Sequence, residues 1–265
     1  MKPIDTALIL TAGRGTRRMP ITRVIDKVML PIGNRPTVDY IVEQCAQAGL
    51  KRILFVVSPE QSQLQQYYGR QVEVAKEYPW LGNNSSINIE YVVQDATKTG
   101  YGTASAVMSA REQLANTDRF LVVAGDAFFY GPDVNPLGML VDACATNVKA
   151  VLLGLEVSRE DIKHLGSIST NDRHELTDLI EKPASLPEGV TPLANISYYA
   201  FSQAIFPAIE TIELTNNEYY ITDALLELAK HAPVPVLRAK GLYLDSGNLE
   251  KWVRANQFVL ENSQY

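Results

Sequence analysis

A short apolar run followed at once by two glycines and a group of cations constrains this chain more than any other stretch. The run, Ala7–Leu10, has the length and composition of a buried strand. Gly13 and Gly15 then break it, and positions 14–27 carry five cations against one acid, Asp26. These cations are Arg14, Arg17, Arg18, Arg23 and Lys27. Because glycine lacks the Cβ atom that blocks close approach, its N–H groups can cradle an anion. The stretch predicts a phosphate-binding loop after a strand, with a basic surface loop as the simpler alternative.

Two common phosphate motifs do not fit this loop. A P-loop requires Lys and then Ser or Thr directly after its last glycine, whereas Thr16 and Arg17 follow Gly15. The dinucleotide fingerprint requires a third glycine where this chain has Arg18. The second predicted strand ends in Val56-Val57-Ser58, without the acidic residue that would bind a ribose, so a Rossmann oxidoreductase is disfavoured.

The composition limits the class of protein. The chain has 265 residues, 46% of them hydrophobic and 20% charged, which suits one large α/β domain. Its net charge of −6 and pI of about 5.2 disfavour binding to nucleic acid. We expect no membrane partner, since no apolar run is long enough to span a bilayer and the first residues do not resemble a signal peptide. Cys45 and Cys144 lie in apolar helical patterns and are predicted to be buried free thiols, which fits the cytoplasm.

Strand-like runs alternate with helical patterns through the first half of the chain. The predicted strands are Ala7–Leu10, Arg52–Val57, Ile87–Val93 and Arg119–Ala124, and the predicted helices are Thr37–Ala48, 61–76 and Thr103–Leu114. This alternation predicts a parallel, doubly wound sheet, which Ala150–Val157 would continue. Such sheets bind ligands at the carboxyl ends of their strands, where the basic loop and Asp126 both lie.

The pattern changes in the second half, where strands follow one another without helices between them. His164–Lys182 and Leu193–Phe201 are predicted to be strands, and the pair near Val234–Leu244 to be two more. Predicted helices lie near Gln203–Ile209, Thr222–Lys230 and Leu249–Leu260. We expect a single domain over residues 1–265 with two lobes, 1–150 and 151–265.

The basic loop continues into a longer motif. It reads Gly13-x-Gly-Thr-Arg-x-x-Pro-x-Thr and is followed by Lys27-x-Met-Leu-Pro31. This motif resembles the signature of the sugar-1-phosphate nucleotidylyltransferases, and among them the bacterial UTP–glucose-1-phosphate uridylyltransferases. The resemblance implies a Rossmann-like, doubly wound mixed sheet of the nucleotide-diphospho-sugar transferase fold. The first lobe would bind the nucleotide, and a smaller β-rich lobe with the C-terminal helix would bind the sugar.

The resemblance also assigns roles to particular residues. Arg17 would act on the departing phosphates, and Lys27 on the α-phosphate and the sugar phosphate. Residues assigned to the nucleotide are Thr11, Ala12, Gly13, Gly15, Thr16, Gln94 and Gly102. Residues assigned to the sugar phosphate are Gly166, Glu181, Lys182 and Asn195, and those assigned to Mg²⁺ are Asp126 and Asp245.

Several of these assignments have a simpler alternative in the residues alone. Gln94 offers both a donor and an acceptor to a nucleobase, but it could equally be a surface side chain beside a helix. Asp126 follows a buried strand, where a carboxylate is costly without a cation or donors, yet it could also cap a turn. Glu181-Lys-Pro183 could be a polar turn, and Asp245 a helix-entry residue.

The chain departs from the family pattern at several positions. Arg18-Met19 replaces the usual Met-Leu, Arg23 replaces Lys, Asp26 replaces Pro, and Ser197 stands where Gly is usual. Asp26 sets an acid beside Lys27, where it would either compete for the ammonium charge or point to solvent. The segment 125–131, Gly-Asp-x-Phe-Phe-Tyr-Gly, is more similar to the thymidylyltransferase branch, which leaves the base open.

The expected reaction is Mg²⁺-dependent transfer of a nucleotidyl group from UTP to glucose 1-phosphate, giving UDP-glucose and pyrophosphate. A glucose-1-phosphate thymidylyltransferase that uses dTTP is the alternative within the same class. A noncatalytic nucleotide-sugar-binding regulatory protein is the alternative of another class. The expected partners are the nucleoside triphosphate and the sugar 1-phosphate, and a homo-oligomer is compatible with both.

Overall fold

A mixed β-sheet forms the centre of the protein in the computed structural model, which describes residues 3–68, 87–131, 134–144, 148–215 and 217–262. The strands are β1 (Thr6–Leu10), β2 (Pro31–Ile32), β3 (Arg35–Pro36), β4 (Arg52–Val57), β5 (Asn88–Val93), β6 (Arg119–Ala124), β7 (Ala127–Tyr130), β8 (Ala150–Glu156), β9 (Gly166–Thr170), β10 (Leu176–Glu181), β11 (Leu193–Ser202), β12 (Val236–Ala239) and β13 (Leu242–Asp245).

The helices pack mainly on the two faces of this sheet. They are α1 (Thr37–Gln47), α2 (Gln63–Tyr68), α3 (Ala96–Thr99), α4 (Thr103–Ser109), α5 (Pro136–Ala143), α6 (Ile205–Thr211), α7 (Ile221–His231) and α8 (Leu249–Asn262). Short 3-10 turns lie at Thr16–Arg18, Ile21–Arg23, Lys27–Met29 and Asp161–His164. The apolar side chains of the sheet divide into two buried clusters, one on each face.

The first half of the sheet is parallel. The strand order runs β10-β9-β11-β6-β1-β4-β5, with β8 paired to β11 and β12 paired to β8. β1 pairs in parallel with both β4 and β6, and β4 pairs in parallel with β5. The central side chains of β1 and β4 are fully buried, because helices cover both faces of a parallel sheet. The predicted doubly wound α/β sheet is therefore confirmed.

The second half adds antiparallel strands to the same sheet. β11 pairs antiparallel with β6, β8 and β9, and β9 forms an antiparallel pair with β10. β12 returns parallel to β8. The mixed sheet thus joins the part of the chain that carries the glycine loop to the part that carries Glu181 and Asn195.

Three predicted elements differ from the structure. The strand predicted over His164–Lys182 is interrupted, because His164 ends a 3-10 turn and a turn at Asn171, whose Oδ1 atom accepts from the Arg173 and Glu175 N–H groups, separates β9 from β10. The helix predicted over Thr103–Leu114 ends at Ser109, because the following turn must lead the chain into β6; Gln203 Nε2 holds that turn by donating to the carbonyls of Leu114 and Thr117. The strand pair predicted near Val234–Leu244 is wrong in its pairing. β12 joins β8, whereas β13 pairs antiparallel with β7, a strand that the sequence pattern did not suggest.

Other predictions agree with the structure or fall partly outside it. α1 and α8 form within a residue or two of the predicted helices, and Cys45 and Cys144 are buried free thiols. Of the helix predicted over 61–76, α2 is described, and positions beyond 68 lie outside the described residues. α3 and α5 were not predicted. The division into two lobes remains a prediction.

Candidate active site

A polar cavity of about 350 Å³ opens where the glycine loop, β6, β11 and β13 meet. Its lining includes Arg17, Asp126, Asn195, Asp245 and Lys251. Residues from both predicted lobes therefore face one space. A larger groove of about 760 Å³ lies between β10 and α7, but none of the predicted site residues lines it.

Asp126 lies at the turn between β6 and β7 and is paired with a cation. Its Oδ2 atom is 2.5 Å from Lys27 Nζ. Burial opposes ionisation of the carboxyl, but the charge and hydrogen bond of Lys27, helped by the charges of Arg18 and Arg17, hold the pKa of Asp126 below its usual range. The glycine loop and the end of β6 are thus joined through a charged pair.

Asp245 reaches the same cavity from the other end of the sequence. It ends β13 opposite Ala127 of β7, and its Oδ2 atom is 2.6 Å from Lys251 Nζ on α8. The next residue, Ser246, donates to the Asp126 carbonyl both from its N–H, at 3.0 Å, and from its hydroxyl, at 2.8 Å. The β7–β13 ribbon therefore brings the two predicted metal ligands together.

The glycine loop folds back over Lys27. Gly15 has φ +64, a left-handed conformation, and its carbonyl accepts from the Arg18 N–H and from the Thr22 hydroxyl. A Cβ atom on Gly13 would lie 3.4 Å from Lys27 Nζ. Gly15 thus lets the loop turn back, and the Lys27 ammonium lies beside Gly13, while Thr16 and Arg17 stay exposed.

Thr11 and Ala12, at the end of β1, are buried beneath this loop. Thr11 is 1% exposed, and its hydroxyl donates to the Val56 carbonyl at 2.5 Å. Its carbonyl accepts from Gln61 Nε2 at 3.0 Å. The hydroxyl, the N–H and the carbonyl of Thr11 are thus all hydrogen-bonded within the protein.

The residues predicted to bind the nucleobase lie three strands away from Asp126, along the same edge of the sheet. Gln94 follows β5, is 5% exposed, and donates from Nε2 to the Gly102 carbonyl at 3.2 Å. Gly102 has φ +122 and lies against the Tyr219 backbone, with the Ala104 N–H donating to the Tyr219 carbonyl at 2.9 Å. A side chain at Gly102 would clash with that backbone. Gln94 and the Gly102 turn are therefore joined by a hydrogen bond, and their contact with a nucleobase remains a prediction.

The predicted sugar residues converge on β9. Gly166 lies opposite Glu181 of β10 and opposite Asn195 of β11. A Cβ atom on Gly166 would approach Glu181 Oε1 to 3.2 Å and Asn195 Cβ to 3.3 Å. Burial raises the pKa of Glu181, with the charge of Lys182 opposing and those of Asp223 and Glu218 adding to the shift. The glycine therefore leaves room between two polar side chains.

Ser197 occupies a backbone conformation that explains the usual glycine. Its φ is +58, in the left-handed region that costs a residue with a Cβ atom about 1–2 kcal/mol. The Asn195 Oδ1 atom accepts from the Ser197 N–H at 3.1 Å and from the Tyr199 hydroxyl at 2.9 Å. Asn195 is thus fixed in place by the same bonds that hold the strained residue.

Asp26 neither competes for Lys27 nor points to solvent. Burial raises the pKa of its carboxyl, while hydrogen bonds from the backbone N–H groups of Gln63 and Leu64 partly offset the effect. The Asp26 N–H donates to Gln63 Oε1 at 2.9 Å, and Gln63 Nε2 donates to the Val24 carbonyl. Competition for Lys27 and exposure to solvent, the two predicted alternatives, are both wrong, because N–H groups in the first turn of α2 bind the carboxylate.

Sequence reasoning did not identify two cations, Lys251 and Arg18, that lie beside Asp126 and Asp245. Lys251 follows Asp245 by six residues, and only the geometry of the turn into α8 brings its ammonium back to the carboxylate. Arg18 was noted as a departure from the family but not as a buried group. It is 4% exposed and lies near enough to Asp126 and Asp245 for both charges to raise its pKa, against a larger lowering by burial.

The two carboxylates suit Mg²⁺ in part. Within the described ranges, no group of three or more His, Cys, Asp or Glu side chains could enclose a metal ion. Mg²⁺ is commonly held by one or two carboxylates together with waters and substrate phosphates. Asp126 and Asp245 therefore fit a metal that is shared with a phosphate ligand.

None of the helices described here is both apolar and long enough to cross a bilayer.

The chain was compared with known proteins. The model of the nucleotidyl transferase family matches residues 6–262 of this chain. The UTP–glucose-1-phosphate uridylyltransferase YngB of Bacillus subtilis is 30% identical over 264 residues, covering 93% of this chain and 86% of that protein. UTP–glucose-1-phosphate uridylyltransferase 2 of Streptococcus pyogenes is 28% identical over 266 residues, covering 94% and 87%. A crystal structure of a UDP-glucose pyrophosphorylase complexed with UDP-glucose matches with a TM-score of 0.86 at 26% identity, covering 98% of this chain and 100% of that one.

Proposed function

The chain belongs to the nucleotidyl transferase family, and from this we propose that it transfers a uridylyl group from UTP to glucose 1-phosphate, releasing pyrophosphate. The family expected from the Gly13–Pro31 motif is confirmed, as is the expectation of a nucleotidyltransferase. The choice of UTP and glucose 1-phosphate is supported by the names of the relatives and by the UDP-glucose bound to the matched structure.

The observation that carries the proposal is the convergence of three groups of residues on one cavity. Arg17 comes from the glycine loop, Asp126 and Asp245 from the ends of β6 and β13, and Asn195 from the sugar-side strand β11. Lys27 joins the first two groups through its 2.5 Å pair with Asp126. Cations from a glycine loop beside carboxylates and sugar-binding polar groups suit a reaction between two phosphorylated substrates.

The proposed chemistry asks for positioning and charge stabilisation rather than for a general base. The nucleophile is an oxygen of the sugar phosphate, which is ionised at pH 7 because its second pKa is about 6. It attacks the α-phosphorus in line, and pyrophosphate leaves. Arg17 would stabilise the charge that develops on the departing phosphates, and Lys27 would bind the α-phosphate and the sugar phosphate together.

A divalent metal completes the proposed site. Asp126 and Asp245 would hold Mg²⁺, which when bound offsets the repulsion between the two phosphorylated substrates. The residues that position these carboxylates are Lys27, Lys251 and Ser246.

The sugar would lie against β9. The absence of a side chain at Gly166, beside Glu181 and Asn195, would let a hexose approach the backbone, and both side chains carry acceptors for hydroxyl groups. Lys182, with φ +47 and its N–H bonded to the Leu165 carbonyl, follows Glu181 and would bind the sugar phosphate.

Segment 125–131, which is similar to the thymidylyltransferase branch, has no visible role in the choice of base. Phe128 is fully buried and stacks on Tyr40, with ring centroids 4.1 Å apart, and Phe129 packs edge-on against Tyr198. Gln94 and Gly102, the proposed base contacts, lie after β5, three strands away from β6 along the same edge of the sheet. The Phe128-Phe129 pair is thus explained by core packing, and UTP remains the first choice.

The test is a grid of nucleoside triphosphates against sugar 1-phosphates with Mg²⁺, with pyrophosphate release as the readout. We expect the highest kcat/KM for UTP with glucose 1-phosphate and a lower value for dTTP with the same sugar. Faster turnover with dTTP would overturn the choice of base. No pyrophosphate from any pair, with nucleotide-sugar binding retained, would favour the noncatalytic regulatory protein.

A further inference from the structure

Each carboxylate proposed to bind the metal already has an ammonium partner. Lys27 Nζ lies 2.5 Å from Asp126 Oδ2, and Lys251 Nζ lies 2.6 Å from Asp245 Oδ2. The other oxygen of Asp245, Oδ1, accepts from the Gly247 N–H. A cation that approached Asp245 in this state would therefore have to displace a lysine.

The charge around the cavity also opposes a free cation. In the part of the chain that the structure describes, Arg17, Arg18, Lys27 and Lys251 surround the two carboxylates. Arg18 is buried, and its Nε and Nη2 atoms have no hydrogen-bond partner among the described residues. A buried guanidinium stays charged, so the surroundings of Asp126 and Asp245 carry an excess of positive charge. Such a site attracts an anion more strongly than a bare divalent cation.

We propose that Lys251 closes the metal position in the free protein, so that the metal enters only together with the phosphates of the nucleotide. This inference rests on the proposed function, which assigns Asp126 and Asp245 to Mg²⁺. Phosphate oxygens reverse the local charge and offer the ammonium groups new partners. Lys251 can then leave Asp245, whose carboxylate becomes free to bind the metal alongside the phosphates.

Lys251 is better placed to move than Lys27. Its side chain is 31% exposed and extends from the first turn of α8, at the rim of the cavity. Lys27 is held against Gly13 by the folded glycine loop. Movement of Lys251 to solvent breaks one ion pair and leaves the surrounding backbone bonds intact.

The fold does not depend on the Lys251 side chain. Asn248 immediately precedes α8, and its Oδ1 atom accepts from the Lys251 N–H at 2.8 Å in the manner of an N-cap. Further along the helix, Trp252 Nε1 donates to the Pro31 carbonyl at 2.8 Å. Lys251→Met therefore keeps the length and most of the apolar stem of the side chain, removes the ammonium, and leaves these anchors in place.

The test uses Mn²⁺, which prefers the same oxygen ligands as Mg²⁺ and whose binding to a protein enhances the relaxation of water protons. The full-length wild-type protein, Lys251→Met and Lys230→Met are titrated with Mn²⁺ alone and then with Mn²⁺ and UTP, without sugar phosphate. Lys230 is the matched control, because it forms an exposed ion pair with Glu227 on α7. Melting temperatures of the three proteins verify folding.

We expect the wild type and Lys230→Met to show enhancement only when UTP is present. Lys251→Met is expected to bind Mn²⁺ alone, with affinity at least about tenfold higher than the wild type, since a charge within a few Å of the site is removed. Tight binding of Mn²⁺ alone to the wild type would overturn the inference, and so would unchanged binding in a folded Lys251→Met. Absence of enhancement with UTP in all three proteins, despite UTP binding, would instead overturn the metal site of the proposed function.

Discussion

Asp26 and Gln63 are bonded to each other in both directions. The Asp26 N–H donates to Gln63 Oε1 at 2.9 Å, and the backbone N–H groups of Gln63 and Leu64 donate to the Asp26 carboxylate. The residue before Lys27 is thereby fixed to the first turn of α2. An acid beside the key lysine is tolerated because helix N–H groups, and not the ammonium, bind its charge.

This bonding predicts that two substitutions of Asp26 differ in their effects. Asp26→Pro restores the family residue and suits the φ of −56, but it removes both the N–H donor and the carboxylate. It should lower the free energy of unfolding by about 1 kcal/mol, the typical cost of a lost cap. Asp26→Asn keeps the N–H and an acceptor. Urea denaturation measures the free energy of unfolding of both variants. The kcat of Asp26→Asn should be unchanged.

The raised pKa of Asp26 also gives the sign of a pH dependence. Because the folded state disfavours the ionised carboxyl, the wild type loses stability as the pH rises from 3.8 through the folded-state pKa. Asp26→Asn lacks that loss, so its stability relative to the wild type should increase between acidic and neutral pH. A difference that is independent of pH would show that the carboxyl is not buried in the way described.

Lys27→Ala should reduce turnover more than binding. A lysine that binds both reacting phosphates stabilises the transition state most, so kcat should fall about a hundredfold or more, with smaller changes in KM. Lys51→Ala, at an exposed lysine before β4, is the control and should be silent. A near wild-type kcat in Lys27→Ala at saturating substrates would remove Lys27 from the mechanism.

Activity should disappear in chelator and return with Mg²⁺. Asp126→Asn keeps the size of the side chain but removes the charge that Lys27 and the metal share, so kcat should fall by at least about a hundredfold. Asp172→Asn, in the exposed turn between β9 and β10, serves as the control. Full activity in chelator would contradict the assignment of Asp126 and Asp245 to a metal.

Lys182→Ala should separate the two substrates. Because Lys182 follows Glu181 at the end of β10 and is proposed to bind only the sugar phosphate, its loss should raise the KM for glucose 1-phosphate more than the KM for UTP. Lys163→Ala removes an exposed lysine that pairs with Glu160, and both KM values should stay unchanged. Equal increases in both KM values for Lys182→Ala would indicate that the turn after β10 is only structural.

Local patterns predicted the parts of the fold that depend on local forces. The runs in β1, β4 and β6 are apolar because both faces of the central strands are covered, and this burial is visible in the sequence. Gly15 was recognisable because its left-handed backbone conformation and its close approach to Thr22 favour glycine there. Asp126 stood out because a carboxylate after four apolar residues needs a partner.

The remaining features depend on contacts between distant segments. β13 could not be assigned to β7 from the sequence, because only the folded sheet shows which strand edge is free to pair with it. Lys251 belongs to the site through the turn after Asp245, and Arg18 through burial beneath two carboxylates. The role of Asp26 depends on the position of α2, which no spacing near residue 26 indicates.

The bond between Trp252 and Pro31 ties the last helix to the segment that follows Lys27. Asn256 of the same helix bonds to the Pro31 carbonyl and to the Gly33 N–H. During synthesis the ribosome makes Pro31 long before the residues that secure it, and Asp245 and Lys251 also emerge late. An unfinished chain therefore lacks the complete cavity, so the appearance of activity during translation should report that the C-terminal helix has docked.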